Sequence, residues 1–147
     1  MRSSSLANPL LAFTLAVLTV HCGRKGDPIP RPRAAAKAAE VHLASLRVLS
    51  ITLPALDVRG DPLVGVEQIR VIYLPLGLTR PTPEDVFGRG EVVLERRRPD
   101  LPGPGETLRL DLHSLQRPAG WIVVVAVRVG NVPGRPSTVL PWIDPAI

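Results

Sequence analysis

Alternation of apolar and polar side chains is the clearest pattern in the later two-thirds of the chain. In residues 107–112, TLRLDL, every second residue is apolar. Because successive strand side chains face opposite ways, this pattern predicts a strand with one buried and one wet face. The run 122–129 is almost wholly apolar, which predicts a central strand covered on both faces, or one whose outer face is mildly wet. Further strands are predicted over residues 49–53, 69–73, 91–96 and 137–142.

Turn-forming residues separate these runs. The chain holds 12 glycines and 17 prolines, and no segment after residue 41 keeps a long helical period. Thr82-Pro83-Glu84-Asp85 predicts a helix start, with Thr82 as the cap and proline at the first position, followed by a short turn before Gly88. About seven short strands between such turns predict an all-β fold, an antiparallel β-sandwich. The turn segments are 57–62, 75–83, 99–105 and 130–136.

The first 21 residues have the organisation of an export signal. Arg2 precedes an apolar run over residues 6–20, and Cys22 follows. The run is shorter than the roughly 20 residues that span a bilayer, and Asn8-Pro9 interrupts it. Residues 1–21 are therefore predicted to be a cleaved signal peptide and not a permanent membrane helix.

Cys22 is the single cysteine of the chain, so an internal disulfide and a cysteine-rich zinc site are both excluded. The sequence LTVHCG at 18–23 resembles a bacterial lipobox, and GRKGDP at 23–28 resembles the start of many small Gram-negative lipoproteins. The resemblance implies that Cys22 becomes the N-terminus and carries fatty acyl chains such as palmitate. Gly23 after the cysteine resembles lipoproteins sorted to the outer membrane. The alternative is a small buried cysteine or an inert exposed one.

The net charge of +5 invites a nucleic-acid interpretation, but the position of the charges argues against it. Residues 23–40 hold five basic and two acidic side chains, whereas residues 41–147 hold twelve basic and eleven acidic ones. Aromatic residues are 3% of the chain, too few for base-stacking platforms. We expect no nucleic-acid partner. The basic excess suits an anionic membrane surface or, equally, a soluble linker.

Residues 22–40 are predicted to be the lipidated cysteine and a disordered tether. Pro28, Pro30 and Pro32 favour extended backbone, which makes a semi-rigid spacer. Residues 34–40 could add a helical turn. The globular domain is then expected over residues 41–147.

Three features occur across residues 40 to 143: the GDPLVG loop at 60–65 before the strand ending in Tyr73, Leu115 followed by Trp121 and alternating valines, and GRPS at 134–137. Together they resemble a fibronectin type III domain. The resemblance implies an immunoglobulin-like sandwich. Trp121 stands where that family has a corner tyrosine, and we expect it to be largely buried, replacing the packing of the tyrosine but not its hydrogen bond.

No motif of catalysis or cofactor binding is present. His42 and His113 have neither metal-ligand nor triad spacing, which predicts solvated surface imidazoles. Arg59-Gly60-Asp61 resembles an integrin-binding tripeptide, but so short a match in a turn is expected by chance. The basic run 96–98 has acidic neighbours and predicts a solvated loop edge. We expect no enzyme activity, catalytic residue, metal, cofactor or small-molecule substrate.

These features together predict a non-enzymatic, lipid-anchored protein of the cell envelope, most simply at the periplasmic face of the outer membrane. Its sandwich would offer a face, edge strand or loop to another envelope protein or to polysaccharide. The segments 75–83 and 99–105 are long for hairpin connections and form the candidate surface. The alternative is an accessory subunit, for carbohydrate binding or assembly, of an envelope enzyme complex.

Overall fold

A computed structural model gives the structure of residues 33–144. The predicted signal peptide, Cys22 and the first part of the tether lie outside these residues. The elements in chain order are β1 (Glu40–Ser45), β2 (Val48–Thr52), β3 (Val66–Pro75), α1 (Pro83–Arg89), β4 (Glu91–Arg97), β5 (Thr107–Asp111), β6 (Gly120–Arg128), β7 (Val132–Pro133) and β8 (Leu140–Trp142).

The strands form two antiparallel sheets. One has the order β1-β2-β5, and in the other β4, β3 and β6 lie side by side, with β7 and β8 both paired to the far edge of β6. Leu49 and Ile51 of the first sheet lie in one buried cluster with Ile69, Val71 and Val124 of the second. The predicted all-β antiparallel sandwich is confirmed. Strand β1 was not among the strands predicted from the alternation of apolar and polar residues.

Strand β6 is buried on both faces. Ile122, Val124 and Ala126 belong to the core between the sheets. The intervening valines belong to a second buried cluster, which also contains Val86 of α1. The prediction of a central strand covered on both faces is confirmed. The members of the second cluster are Ile72, Val86, Val123, Val125, Val127 and Val139.

Helix α1 begins where the sequence predicted. Thr82 is its N-cap, Pro83 occupies the first turn, and Thr82 and Asp85 form a reciprocal capping box. The helix does not stop before Gly88 as expected, but continues to Arg89. Its one buried residue, Val86, packs in the outer cluster, and this burial stabilises a helix too short to persist alone.

The compact unit begins at Arg33, so the predicted tether is wrong for residues 33–40. Ala36 and Ala39 are buried, and the segment is extended and not helical. The Lys37 amide donates to the Leu56 carbonyl at 3.1 Å, and the Arg135 amide donates to the Ala36 carbonyl at 2.9 Å. Small side chains let this segment pack closely between two loops that are distant in sequence.

The last predicted strand, 137–142, is reduced to β8, and β7 forms a separate short pairing within the segment predicted as a turn. Prolines 133, 136 and 141 lack an amide donor, which limits regular pairing between β7 and β8. Ser137 bridges this interval: its amide donates to the Val124 carbonyl at 2.9 Å, and its hydroxyl oxygen accepts from the Val124 amide at 2.9 Å. The segment 132–142 therefore covers the whole edge of β6.

The double burial of β6 predicts equal sensitivity of its two faces. Val124→Ala and Val125→Ala should each lower the free energy of unfolding by about 2 kcal/mol, since each removes two buried methyl-sized groups and leaves a cavity. Val92→Ala is the control, because Val92 is 49% exposed and should cost less than about 0.5 kcal/mol. Urea unfolding monitored by tryptophan fluorescence measures the differences. A neutral Val125→Ala would contradict the buried outer face.

Candidate functional site

Two aromatic side chains fix the segment that leads into β6. The Tyr73 hydroxyl donates to the Pro118 carbonyl at 3.1 Å, and the Trp142 indole N–H donates to the Arg117 carbonyl at 2.9 Å. Gly120 is required here, because a Cβ atom would run into the Tyr73 ring. Burial raises the pKa of Tyr73 above its ordinary value. Trp121 was not expected to replace the hydrogen bond of a corner tyrosine. Hydrogen bonds from Tyr73 and Trp142 hold this segment instead.

Trp121 is largely but not fully buried, so the predicted packing role of this side chain agrees with the structure. The register of β6 puts its odd-numbered residues on the outer face, where Trp121 packs against the second cluster beside Leu74. The Arg80 guanidinium carbon lies 5.7 Å from the centroid of the indole ring, a cation–π distance. The indole Nε1 is shielded from solvent and has no hydrogen-bond partner.

A groove opens beside Trp121, between helix α1 and the loop 75–81. Its volume is about 460 Å³. The loop is anchored at both ends: the Leu76 amide donates to the Ala119 carbonyl at 3.2 Å, and the Arg80 guanidinium donates to the Val139 carbonyl at 3.1 Å. We call this the apolar groove after the leucines and the tryptophan in its wall, although polar groups make up more of its lining than apolar ones. Its walls are Leu74 to Pro81, Asp85, Arg89 and Trp121.

Two leucines stand out from the loop that walls the apolar groove. Leu76 is 61% exposed and Leu78 is fully exposed. Both belong to a loop that hydrogen bonds anchor at each end, so the position of the exposed side chains is fixed. Adjacent large apolar side chains beside a groove are typical of a protein-binding surface.

Charges lie along the rim of the apolar groove. Asp85 accepts from the Thr82 amide at 3.0 Å and from the Thr82 hydroxyl at 2.8 Å. These bonds hold the pKa of the Asp85 carboxyl below its ordinary value. The hydrogen bond from the Thr82 backbone amide contributes most, the bond from the Thr82 hydroxyl less, and the charge of Arg89 least. The lining of the groove therefore includes one fixed carboxylate, at Asp85, together with the basic side chains of Arg80 and Arg89.

The two predicted surface segments do not come together. Segment 99–105 lies at the other end of the sandwich, where the Gly105 amide donates to the Leu53 carbonyl at 3.0 Å. Leu101 packs partly against the core. The ten residues of β3 separate the two ends by about 30 Å. Of the two candidate segments, 75–83 contributes to the apolar groove and 99–105 does not.

The two histidines are exposed, as predicted, and they lie apart. His42 is on β1, whereas His113 follows β5, the opposite edge of the same sheet. The His113 ring bonds the Asp111 carboxylate, and this contact lowers the pKa of that carboxyl. No group of three or more potential metal ligands occurs within residues 33–144.

The Arg59-Gly60-Asp61 tripeptide is part of a turn organised by Asp57. One carboxylate oxygen of Asp57 accepts the amides of Arg59 at 2.8 Å and Asp61 at 3.1 Å. Gly60 has φ +89°, a conformation that favours glycine. Arg59 and Asp61 take part in this turn through their backbone amides, and Gly60 through its conformation. The basic run 96–98 is exposed, as predicted, but Arg96 and Arg97 lie in strand β4, paired with β3, and not in a loop.

Across the part of the chain that the structure describes, no helix is long and apolar enough to cross a membrane. Comparison with protein-family models, curated proteins and solved structures finds no significant match to any of them.

The capping box makes a pH-dependent contribution that can be measured. Because the folded pKa of Asp85 is depressed, its bonds stabilise the fold above about pH 4 and are lost as the pH falls through the folded pKa. Asp85→Asn should therefore lower the urea midpoint at neutral pH, and the difference from wild type should shrink in acid. Glu84→Gln removes the same charge from the neighbouring position and is the control. A difference independent of pH would contradict this origin.

Proposed function

We propose that the protein is a lipid-anchored, non-catalytic interaction protein of a bacterial cell envelope, held at the periplasmic face of the outer membrane. Its fibronectin type III-like sandwich would bind a second envelope protein through the apolar groove. The observation that carries the proposal is the pairing of the lipobox-like LTVHCG at 18–23 with a downstream domain that exposes Leu76 and Leu78 beside a groove.

Acylation supplies the physical basis of the anchor. Each buried methylene contributes about 0.8 kcal/mol, so one acyl chain holds a protein marginally and two or more hold it durably. A chain acylated at Cys22 would stay on its membrane without a spanning helix. The domain then acts within reach of that surface and needs affinity only for partners found there.

The chemistry of the apolar groove favours a protein over a polysaccharide. Full burial of a leucine side chain contributes about 1.5–3 kcal/mol, and two leucines stand exposed together. A sugar offers few apolar groups to cover them. Trp121 with Arg80 against its ring adds an aromatic wall, and interfaces are enriched in both residue types. The partner is expected to present an apolar segment with a charged margin.

The anchor is tested by comparing wild type with Cys22→Ala in a Gram-negative host. Intact mass of the wild type should show a mature N-terminus at Cys22 carrying acyl chains, and the protein should fractionate with membranes. Cys22→Ala has no sulfur to modify and should keep its leader and lack acyl mass. A wild-type chain with a free thiol and an intact leader would contradict the proposal.

The apolar groove is tested by crosslinking in cells. A photoreactive amino acid in place of Gly77, an open loop position, should form an adduct with a specific envelope protein. Leu76→Ser combined with Leu78→Ser should reduce that adduct roughly tenfold or more, because two apolar contacts are lost. Leu46→Ser is the matched control, since Leu46 is 69% exposed in a different hairpin.

The identity of the adduct separates the competing functions. A non-catalytic protein partner supports the proposal. A stable complex with an enzyme would favour an accessory subunit instead. A polysaccharide adduct, or an adduct unchanged by the leucine substitutions, would overturn the assignment of the groove.

A further inference from the structure

The end of the sandwich where the chain enters is formed by four neighbouring segments, which we call the entry end. They are residues 33–39, 53–67, 97–106 and 128–135. Arg33 donates to the Val129 carbonyl at 2.8 Å, and the Val58 amide donates to the Ala35 carbonyl at 2.9 Å. Ten residues, 23–32, separate Arg33 from Cys22, a reach of about 30 Å if extended.

The entry end is more basic than the opposite end. Its segments carry seven basic and five acidic side chains. Segments 45–48, 75–91, 111–120 and 140–144, which form the opposite end, carry four basic and five acidic side chains. The domain thus has a charge asymmetry along its length, and the positive side is the side joined to the basic segment 23–32. The basic residues of the entry end are Arg33, Lys37, Arg59, Arg97, Arg98, Arg128 and Arg135, and the acidic residues are Asp57, Asp61, Glu67, Asp100 and Glu106.

Exposed apolar side chains accompany these charges. Val64 is 73% exposed and Val129 is 41% exposed. The two lie on adjoining loops, because the Val129 amide donates to the Gly65 carbonyl at 2.9 Å. Apolar side chains among arginines suit the interfacial region of a bilayer. The apolar side chains reach toward the acyl boundary, and the arginines contact the phosphate groups of the lipid headgroups.

A polar groove of about 340 Å³ lies on the same end, on the outer face of the larger sheet. Arg70, Arg97 and Arg98 line it together with Gln68 and Asn131. Its acidic groups are Glu67 in the lining and Glu95 at the margin, which accepts from both Arg70 and Arg97. The Arg97 side chain remains 68% exposed, so a headgroup phosphate can reach it.

We propose that the entry end is a second membrane contact, which docks on an anionic lipid surface and orients the domain. This inference rests on the lipid anchor of the proposed function and adds a defined face to it. The apolar groove, about 30 Å away along β3, then points away from the bilayer toward a partner.

The test uses the full chain, purified from membranes with its acyl mass confirmed, and reconstituted in vesicles of phosphatidylethanolamine and phosphatidylglycerol. An acylated Cys22 has no free thiol, so Val64→Cys and Leu78→Cys each introduce a unique site for an environment-sensitive fluorophore. The label at 64 should shift to the blue and be quenched by spin-labelled lipid headgroups. The label at 78, the control at the far end, should stay aqueous. Equal responses, or a stronger one at 78, would overturn the orientation.

Charge reversals test the lipid chemistry. Arg59→Glu with Arg135→Glu should lower the quenching at position 64 roughly tenfold or more, and phosphatidylcholine vesicles should lower it similarly. Arg109→Glu with Arg117→Glu changes the net charge by the same amount elsewhere and should leave the quenching unchanged. Equal losses from both pairs would overturn docking through the entry end. A purified chain without acyl groups contradicts the anchor, whereas an acylated chain with an aqueous label at 64 contradicts the docking face alone.

Discussion

Burial of strand β6 on both faces is the constraint on which the rest of the structure depends. The smaller sheet covers one face, and the other is covered by Val86 of helix α1 and by Val139. The chain can place α1 there only by leaving β3 at Pro75 and crossing back over the outer face. That crossing is the loop 75–81, so the apolar groove is a by-product of covering β6. Its position on the outer face follows from the same requirement.

The sequence was sufficient to predict the elements whose conformation is set by neighbouring residues. Alternation at 107–112, the continuous apolar run of β6 and the Thr82 cap all specify a geometry within a few residues, and the structure has each of them. The burial of Ala36 and Ala39 is different. It depends on loops near residues 56 and 135, and an alanine-rich stretch after prolines carries no sign of those distant partners.

The sequence predicted only part of the candidate site, because the rest of the site depends on contacts between distant residues. The length and proline content of 75–83 marked it as unusual, but 99–105 shares those properties and packs against Leu53 and the core instead. Trp121 was assigned by likeness to a corner position, yet its face is set by the pairing of Trp121 with Leu74 in the ladder. The pairing of Arg80 with Trp121 joins residues 41 positions apart, and no spacing rule would have found it.

The contacts of Arg128 have a mechanical consequence. Its guanidinium bonds the carbonyls of Ala34 and Val64 and lies 4.0 Å from the Asp57 carboxylate, and both charged side chains are largely buried. Separating such a pair leaves charges without partners, which is costly. A pulling force applied to the chain before Arg33 is therefore transmitted through Arg128 to the C-terminal end of β6, at the centre of the larger sheet. This contact has to break before β1 can be pulled from the edge of the smaller sheet. A domain clamped in this way resists being unravelled from the side on which it is pulled.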